Sequence, residues 1–235
     1  MTFLFVASVA VLLFMGGLAI GIKNKGADWG FLLANAVDGW ARIYCRRFHH
    51  INPINLSIPS DRGSIVVSNH ISGLDPLLLI AACDRPLRFL IAKEEYERFG
   101  LTWLFKRAGC IPVDRDGRVD GAFREAIRQL ELGEVVALFP HGRIHLDDEK
   151  RTKLKPGLRK LVTKVPCTVF PLRLEGVRAQ GSVFTSLLLR ADINIQQFPS
   201  IDSQAFEDKC IDDRLGELLL GRTDSLEKKS TTPHL

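Results

Sequence analysis

The apolar positions along the chain fall into three kinds of run. From Phe3 to Ile22 they are nearly continuous, and no charged side chain occurs between Met1 and Ile22. A helix of that length crosses a hydrocarbon core of about 30 Å, so the pattern predicts a membrane anchor over 1–22. A cleaved signal peptide is the competing reading. It requires a basic start, a shorter apolar stretch and a small-residue exit, and no Lys or Arg precedes this run. The first basic residues, Lys23, Lys25, Arg42, Arg46 and Arg47, all follow it. The positive-inside rule then places the rest of the chain on the cytoplasmic face, behind a single N-terminal anchor.

The second kind of run is helical in period. Trp29, Phe31, Leu32, Leu33, Ala36, Val37, Trp40, Ile43 and Tyr44 recur at roughly helical spacing. Two Trp, one Tyr and the basic pair Arg46-Arg47 suit a helix at the lipid–water boundary, which defines an interfacial region over 23–50. An ordinary amphipathic helix packed on a globular core produces the same pattern.

The third kind is short and rich in β-formers, over 64–68, 88–92, 135–139 and 168–173. Such runs predict buried strands. Helix-like stretches lie between them at 76–82, 100–107, 119–132 and 157–164. The clearest is 119–132, where Phe123, Ile127 and Leu130 form a stripe and Gly133 supplies the stop. A strand over 193–195 and a helix over 205–220 follow. Strand–helix alternation predicts an α/β fold: a mostly parallel central sheet flanked by helices, with an N-terminal membrane-anchoring helical segment. The α/β domain occupies 51–221, and a polar, flexible tail 222–235.

Composition narrows the function. With 235 residues, 46% of them hydrophobic, the chain can bury a sizeable core. Lys and Arg total 32 against 27 Asp and Glu, a formal charge of +5. This suits an anionic ligand or a membrane surface. Without a dense basic block or interleaved aromatics it gives no support to nucleic-acid binding. The cysteines, Cys45, Cys83, Cys110, Cys167 and Cys210, are odd in number and scattered, which argues against a disulfide framework and a zinc knuckle.

The common nucleophile, phosphate-loop, dinucleotide and metalloprotease motifs are missing. What remains is Asn69-His70-Ile71-Ser72-Gly73-Leu74-Asp75-Pro76, straight after a predicted strand. Residues five apart on a continuous helix diverge by about 140°, so His70 and Asp75 meet only if the chain curls between them. Ser72-Gly73 permits that curl. Asp75-Pro76 reads as a helix start, with Asp at the N-cap and Pro at the first helical position. Two readings are open from these residues: an acid–base pair in which the carboxylate holds one ring nitrogen as N–H, or a simple cap beside a satisfied polar residue.

Further blocks follow in order: Gly109-Cys110-Ile111-Pro112-Val113-Asp114-Arg115, then Phe139-Pro140-His141-Gly142-Arg143, then Val169-Phe170-Pro171. As an ordered set over roughly 62–177 they resemble the glycerolipid acyltransferase family, which includes the lysophosphatidic acid acyltransferases. The resemblance implies transfer of a fatty acyl group from an acyl thioester, acyl-CoA or acyl-ACP, to the hydroxyl of a lysophospholipid, with lysophosphatidic acid becoming phosphatidic acid. It implies His70 as general base, oriented by Asp75. The acceptor is itself the nucleophile, which agrees with the lack of a serine motif. Arg115 and Arg143 match the family's basic positions, and Lys155 matches a Lys of its K-x-G segment. These cations suit the acceptor's phosphate. Gly142 lets backbone approach the ligand or turn sharply. The partners implied are the lysophospholipid, the acyl carrier and membrane lipids. No cofactor, metal or nucleic acid is implied.

One departure stands out. The family usually has Glu where this chain has His141. A neutral histidine can accept a hydrogen bond but cannot neutralise Arg143. Three outcomes follow: an altered acceptor, another acid such as Asp114 or Asp116 in the role, or reduced activity. The last defines an alternative function, a catalytically weak relative that binds or remodels lipid. A metal site from His141 and His145 lacks a third ligand. Leu77, Leu78, Leu79, Phe89, Leu101, Trp103, Leu104 and Phe105 are the candidates for an acyl groove.

Overall fold

A computed structural model describes residues 2–98, 100, 102–114, 119–144 and 153–222. Two helices come first, α1 (Thr2–Lys23) and α2 (Leu32–Arg47). Then follow β1 (Ser64–Ser68), α3 (Asp75–Ala82), β2 (Leu87–Ala92), α4 (Lys93–Tyr96), α5 (Thr102–Arg107), β3 (Ile111–Val113), α6 (Asp120–Glu131) and β4 (Val135–Leu138). The chain continues through α7 (Gly157–Val162), β5 (Thr168–Glu175), α8 (Thr185–Leu188), β6 (Asn194–Gln197), β7 (Ile201–Asp202), a 3-10 turn and α9 (Ile211–Leu219).

Among the described residues the strands form one sheet in the order β3-β2-β4-β1-β5-β6, with β7 also on β5. The pairs β1–β4, β1–β5, β2–β3 and β2–β4 are parallel. Only β6 and β7 run antiparallel, both against β5. The predicted mostly parallel α/β sheet is therefore observed. Its central strands are apolar on both faces because helices cover both. Val66, Ala137 and Phe170 pack with α3 on one side, while Ile65, Val67, Val136 and Val169 pack with α6, α7 and α9 on the other. The expected strand at 64–68 coincides with β1, and the helix at 119–132 contains α6. The helix expected at 205–220 divides into a 3-10 turn and α9.

The N-terminal helices form an antiparallel pair. Trp40 Nε1–H donates to Gly17 O at 2.9 Å, and a Cβ at Gly39 would sit 1.8 Å from Gly21 O, so the backbones touch. At about 1.5 Å per residue α1 is about 33 Å long. It is the one described helix long and apolar enough to cross a membrane, and little of it is buried.

The second helix packs one face on the protein, as an amphipathic helix on a globular core does. Ala34, Ala36, Asp38, Ala41, Arg42 and Cys45 face the protein, while Leu32, Leu33, Val37 and Trp40 are exposed. The inner face is held by a buried ion pair. Arg42 Nε–H donates to Asp38 Oδ2 at 2.9 Å, and its remaining N–H groups donate to the carbonyls of Ala81 and Cys83 at the end of α3. Asp38 also accepts Gly26 N–H at 2.7 Å and Trp29 Nε1–H at 3.2 Å. Of the basic residues that follow the anchor, Arg42 is thus enclosed, while Lys23, Arg46 and Arg47 are exposed. The C-terminal residues from 223 lie outside the described residues.

Candidate active site

His70 leaves the sheet two residues after β1 ends. Asn69 fixes that exit by clasping the neighbouring strand: its Nδ2–H donates to Leu174 O at 2.9 Å, and Leu174 N–H donates to its Oδ1 at 2.8 Å. The chain then curls as Ser72-Gly73 allows. His70 Nδ1 lies 2.8 Å from Asp75 Oδ2. A carboxylate only accepts, so Nδ1 carries the proton and the Nε2 lone pair is left for chemistry.

Asp75 is enclosed, and its place differs from the expected N-cap. It is the first residue of α3, with Leu74 before it at the cap. Its carboxylate turns back onto the loop it closes. Oδ2 accepts Ile71 N–H at 2.6 Å and Ser72 N–H at 2.9 Å, and Oδ1 accepts Ser72 Oγ–H at 2.6 Å. With His70 that makes four donors, enough to hold the carboxylate in one rotamer. The His70 side chain is 19% exposed and Asp75 0%, so the pair is open at the ring and sealed at the acid.

Because β1 and β4 are parallel neighbours, their carboxyl ends share an edge. The Phe139 ring stacks on His70 there, with centroids 4.1 Å apart and planes 14° apart. The chain turns at Pro140-His141, closed by Gly142 N–H donating to Phe139 O at 2.9 Å. Gly142 has φ of +76°, which an L side chain adopts at a cost. The Lys155 stem lies across it, within 2.6 Å of where a Cβ would be, and Lys155 N–H donates to Pro140 O at 2.9 Å. His141 is buried at 6% exposure, and Arg143 and Lys155 are exposed.

The fold therefore joins His70, Asp75 and Phe139 directly, and gathers His141, Gly142 and Arg143 in the turn that follows Phe139, with Lys155 packed across it. Arg115, Asp116 and His145 lie outside the described residues. Of the groove candidates, Leu78, Leu79 and Phe89 are core, Leu77, Leu104 and Phe105 are half-buried, and Trp103 is exposed. Leu101 is not among the described residues. Sequence reasoning missed the hydrogen bonds of Ser72 to Asp75 and the stacking role of Phe139. Ser72 sits three residues before Asp75 and was a readable signal; Phe139 depends on strand order.

A His–Asp pair and a glycine turn thus lie together at the carboxyl edge of a mostly parallel, helix-covered sheet. A model of the acyltransferase family matches residues 50–175, and the chain belongs to that family. It is similar to the N-acylphosphatidylethanolamine synthase of Arabidopsis thaliana, 30% identical over 124 residues, covering 48% of this chain and 44% of that protein. It is also similar to a probable 1-acyl-sn-glycerol-3-phosphate acyltransferase of Mycoplasma pneumoniae, 29% identical over 178 residues, covering 66% and 64%. The chain spans about half the length of the first of these relatives. The crystal structure of the 1-acyl-sn-glycerophosphate acyltransferase PlsC from Thermotoga maritima shares the fold. Its TM-score is 0.58 at 20% identity, over 99% of this chain and 95% of that one.

Proposed function

We propose that the protein is a membrane-bound O-acyltransferase that moves a fatty acyl group from a thioester to the hydroxyl of a lysophospholipid, lysophosphatidic acid first among them. The observation that carries this reading is the His70–Asp75 contact at 2.8 Å, with the ring open and the acid enclosed. His70 Nε2 takes the acceptor's hydroxyl proton as the oxygen attacks the thioester carbonyl. Asp75 holds the tautomer and stabilises the imidazolium. The tetrahedral intermediate then collapses: the C–S bond breaks, the imidazolium returns its proton to the leaving thiolate, and the ester and free thiol depart.

Arg143, in the turn after Phe139, and Lys155, whose stem lies across that turn, supply cations for the acceptor's phosphate, and Arg115 joins them by its place in the motif order. Gly142 lets the turn approach the ligand, and His141 stands where the family has a carboxylate. The anchor is α1, and the catalytic domain lies on the cytoplasmic face. Acyl-CoA and acyl-ACP are both competent donors on this chemistry.

The test uses membranes carrying the full chain, a labelled acyl thioester on each carrier, and lysophosphatidic acid beside a panel of other acceptors, phosphatidylethanolamine included. Turnover is expected with the parent, and a fall of about 10²- to 10⁴-fold in His70→Ala and Asp75→Asn. Equal turnover in parent and variants overturns the assignment. His141 favours a second reading, a lipid-binding relative of weak activity; binding of lysolipid without turnover, and turnover gained in His141→Glu, would support it.

A further inference from the structure

The loop that joins His70 to Asp75 is held from two sides. On one side the Asp75 carboxylate accepts the N–H groups of Ile71 and Ser72. On the other lies the segment 179–187, which runs into α8. Gly181 N–H donates to Ile71 O at 2.8 Å, and Gly73 N–H donates to Ser182 O at 3.1 Å. The loop is therefore a single layer of backbone between the carboxylate and this segment. Ile71 is bonded on both sides, by its N–H to Asp75 and by its carbonyl to Gly181. Any shift of the outer segment moves the donors that hold Asp75.

Gly73 shows how closely the two backbones approach. Its φ lies outside the left-handed region, and what excludes a side chain is contact: a Cβ would lie 2.2 Å from Val183 O. The obstacle is backbone, so no rotamer relieves it. Two hydroxyls hold the outer segment in turn. Ser186 is 1% exposed and donates Oγ–H to Ser182 O at 3.2 Å, the carbonyl that also receives Gly73 N–H. Tyr44, near the end of α2, donates its hydroxyl to Leu187 O in α8. That hydroxyl has only one hydrogen, so His49 Nε2–H donates to its oxygen, at 2.9 Å. The Phe48 ring stacks on Tyr44 with centroids 5.5 Å apart.

We propose that the segment 179–187 is the outer half of the mould that sets the His70–Asp75 geometry, with Gly73, Ser186 and Tyr44 as its positioning residues. None of the three bonds the catalytic pair. Each acts through the Ile71-Ser72-Gly73 backbone, whose N–H groups fix the carboxylate that fixes the imidazole. Through Tyr44, residues from β1 and from α2 share one support, although neither helix of the N-terminal pair reaches His70. The kinetic role rests on the proposed acyl transfer; the support of the His70–Asp75 bond does not.

The test compares the full chain with Tyr44→Phe and Ser186→Ala, each of which removes one oxygen. Tyr44→Phe keeps the ring that stacks on Phe48. Thr163→Ala is the control, since its hydroxyl bonds Arg159 O in α7, across the sheet from α3. On lysophosphatidic acid and the acyl thioester that the parent accepts, kcat is expected to fall about three- to tenfold in both variants, with both KM values kept. The double variant is expected to lose little more than the worse single one, because both hydroxyls serve one support. Gly73→Ala is expected to lose most. In 15N-histidine-labelled protein in micelles, the downfield Nδ1–H proton of His70, assigned by its loss in His70→Ala, is expected to move upfield or broaden in both hydroxyl variants and to stay in Thr163→Ala. Parent kcat in Gly73→Ala, a rise in KM with kcat kept, or losses that multiply in the double variant overturn the proposal. So does a loss that follows the folded fraction while the His70 proton is unchanged. If the parent turns over no acceptor, the functional reading falls, and the His70 proton alone decides whether these residues hold the pair.

Discussion

His70 and Phe139 lie face to face, 4.1 Å between ring centroids, although they come from different strands. The Asp75 bond fixes one edge of the imidazole, and the Phe139 ring fixes its plane. Together they aim Nε2. Replacing Phe139 by Ala frees the plane and leaves the Asp75 bond intact. We expect kcat to fall by about ten- to a hundredfold, with Phe139→Tyr near the parent because it keeps the ring. Steady-state kinetics of both variants beside circular dichroism separates misaimed chemistry from lost folding.

Arg42 is the residue on which the joint between the anchor and the α/β domain depends. Its guanidinium bonds Asp38 and two carbonyls at the end of α3, all enclosed. Arg42→Leu strands the Asp38 carboxylate in a dry site, which costs about 3–5 kcal/mol. Arg46→Leu, on an exposed residue of the same helix, is expected within about 0.5 kcal/mol of the parent. Denaturant unfolding in detergent compares the two.

Gly142→Ala forces a side chain into the left-handed region at φ of +76° and against the Lys155 stem. The backbone strain costs about 1–2 kcal/mol. If Lys155 serves the acceptor's phosphate, Lys155→Met is expected to raise the acceptor KM with kcat nearly unchanged, while the donor KM stays at the parent value. A rise in donor KM instead would move Lys155 to the thioester carrier.

His49 is buried and bonded through Nε2 to the Tyr44 hydroxyl at 2.9 Å. Burial lowers its pKa below the usual 6.5. A depressed folded pKa means the stability is present above pH 6.5 and drains away as pH falls through the folded value, because the unfolded chain takes the proton first. Thermal unfolding between about pH 7.5 and pH 5 is expected to show a steeper fall in Tm for the parent than for His49→Gln. The contact from Tyr44 to α8 is expected to loosen first.

The sequence made much of this site legible. The strand at 64–68 and the curl at Ser72-Gly73 follow from local rules of period and turn chemistry, while the pairing of Asp75 with His70 was one of two open readings until the ordered motif blocks favoured it. The cap geometry did not follow, because Asp75 finds more donors in the preceding loop than in its own helix. In the sequence Arg42 is one more basic residue after the anchor, since nothing nearby announces the α3 carbonyls that receive it.

The sequence by itself determined the elements, the ordered motif blocks and an N-terminal helix apolar enough for lipid. These depend on residues within a turn or two of one another, where steric and hydrophobic preferences act directly. Only the tertiary structure decided which face of α2 is inner, that Phe139 lies on His70, and that the segment leading into α8 lies against the loop carrying His70. Those facts come from packing between segments distant along the chain. Strand order and the burial of charge set that packing, and no local preference encodes either.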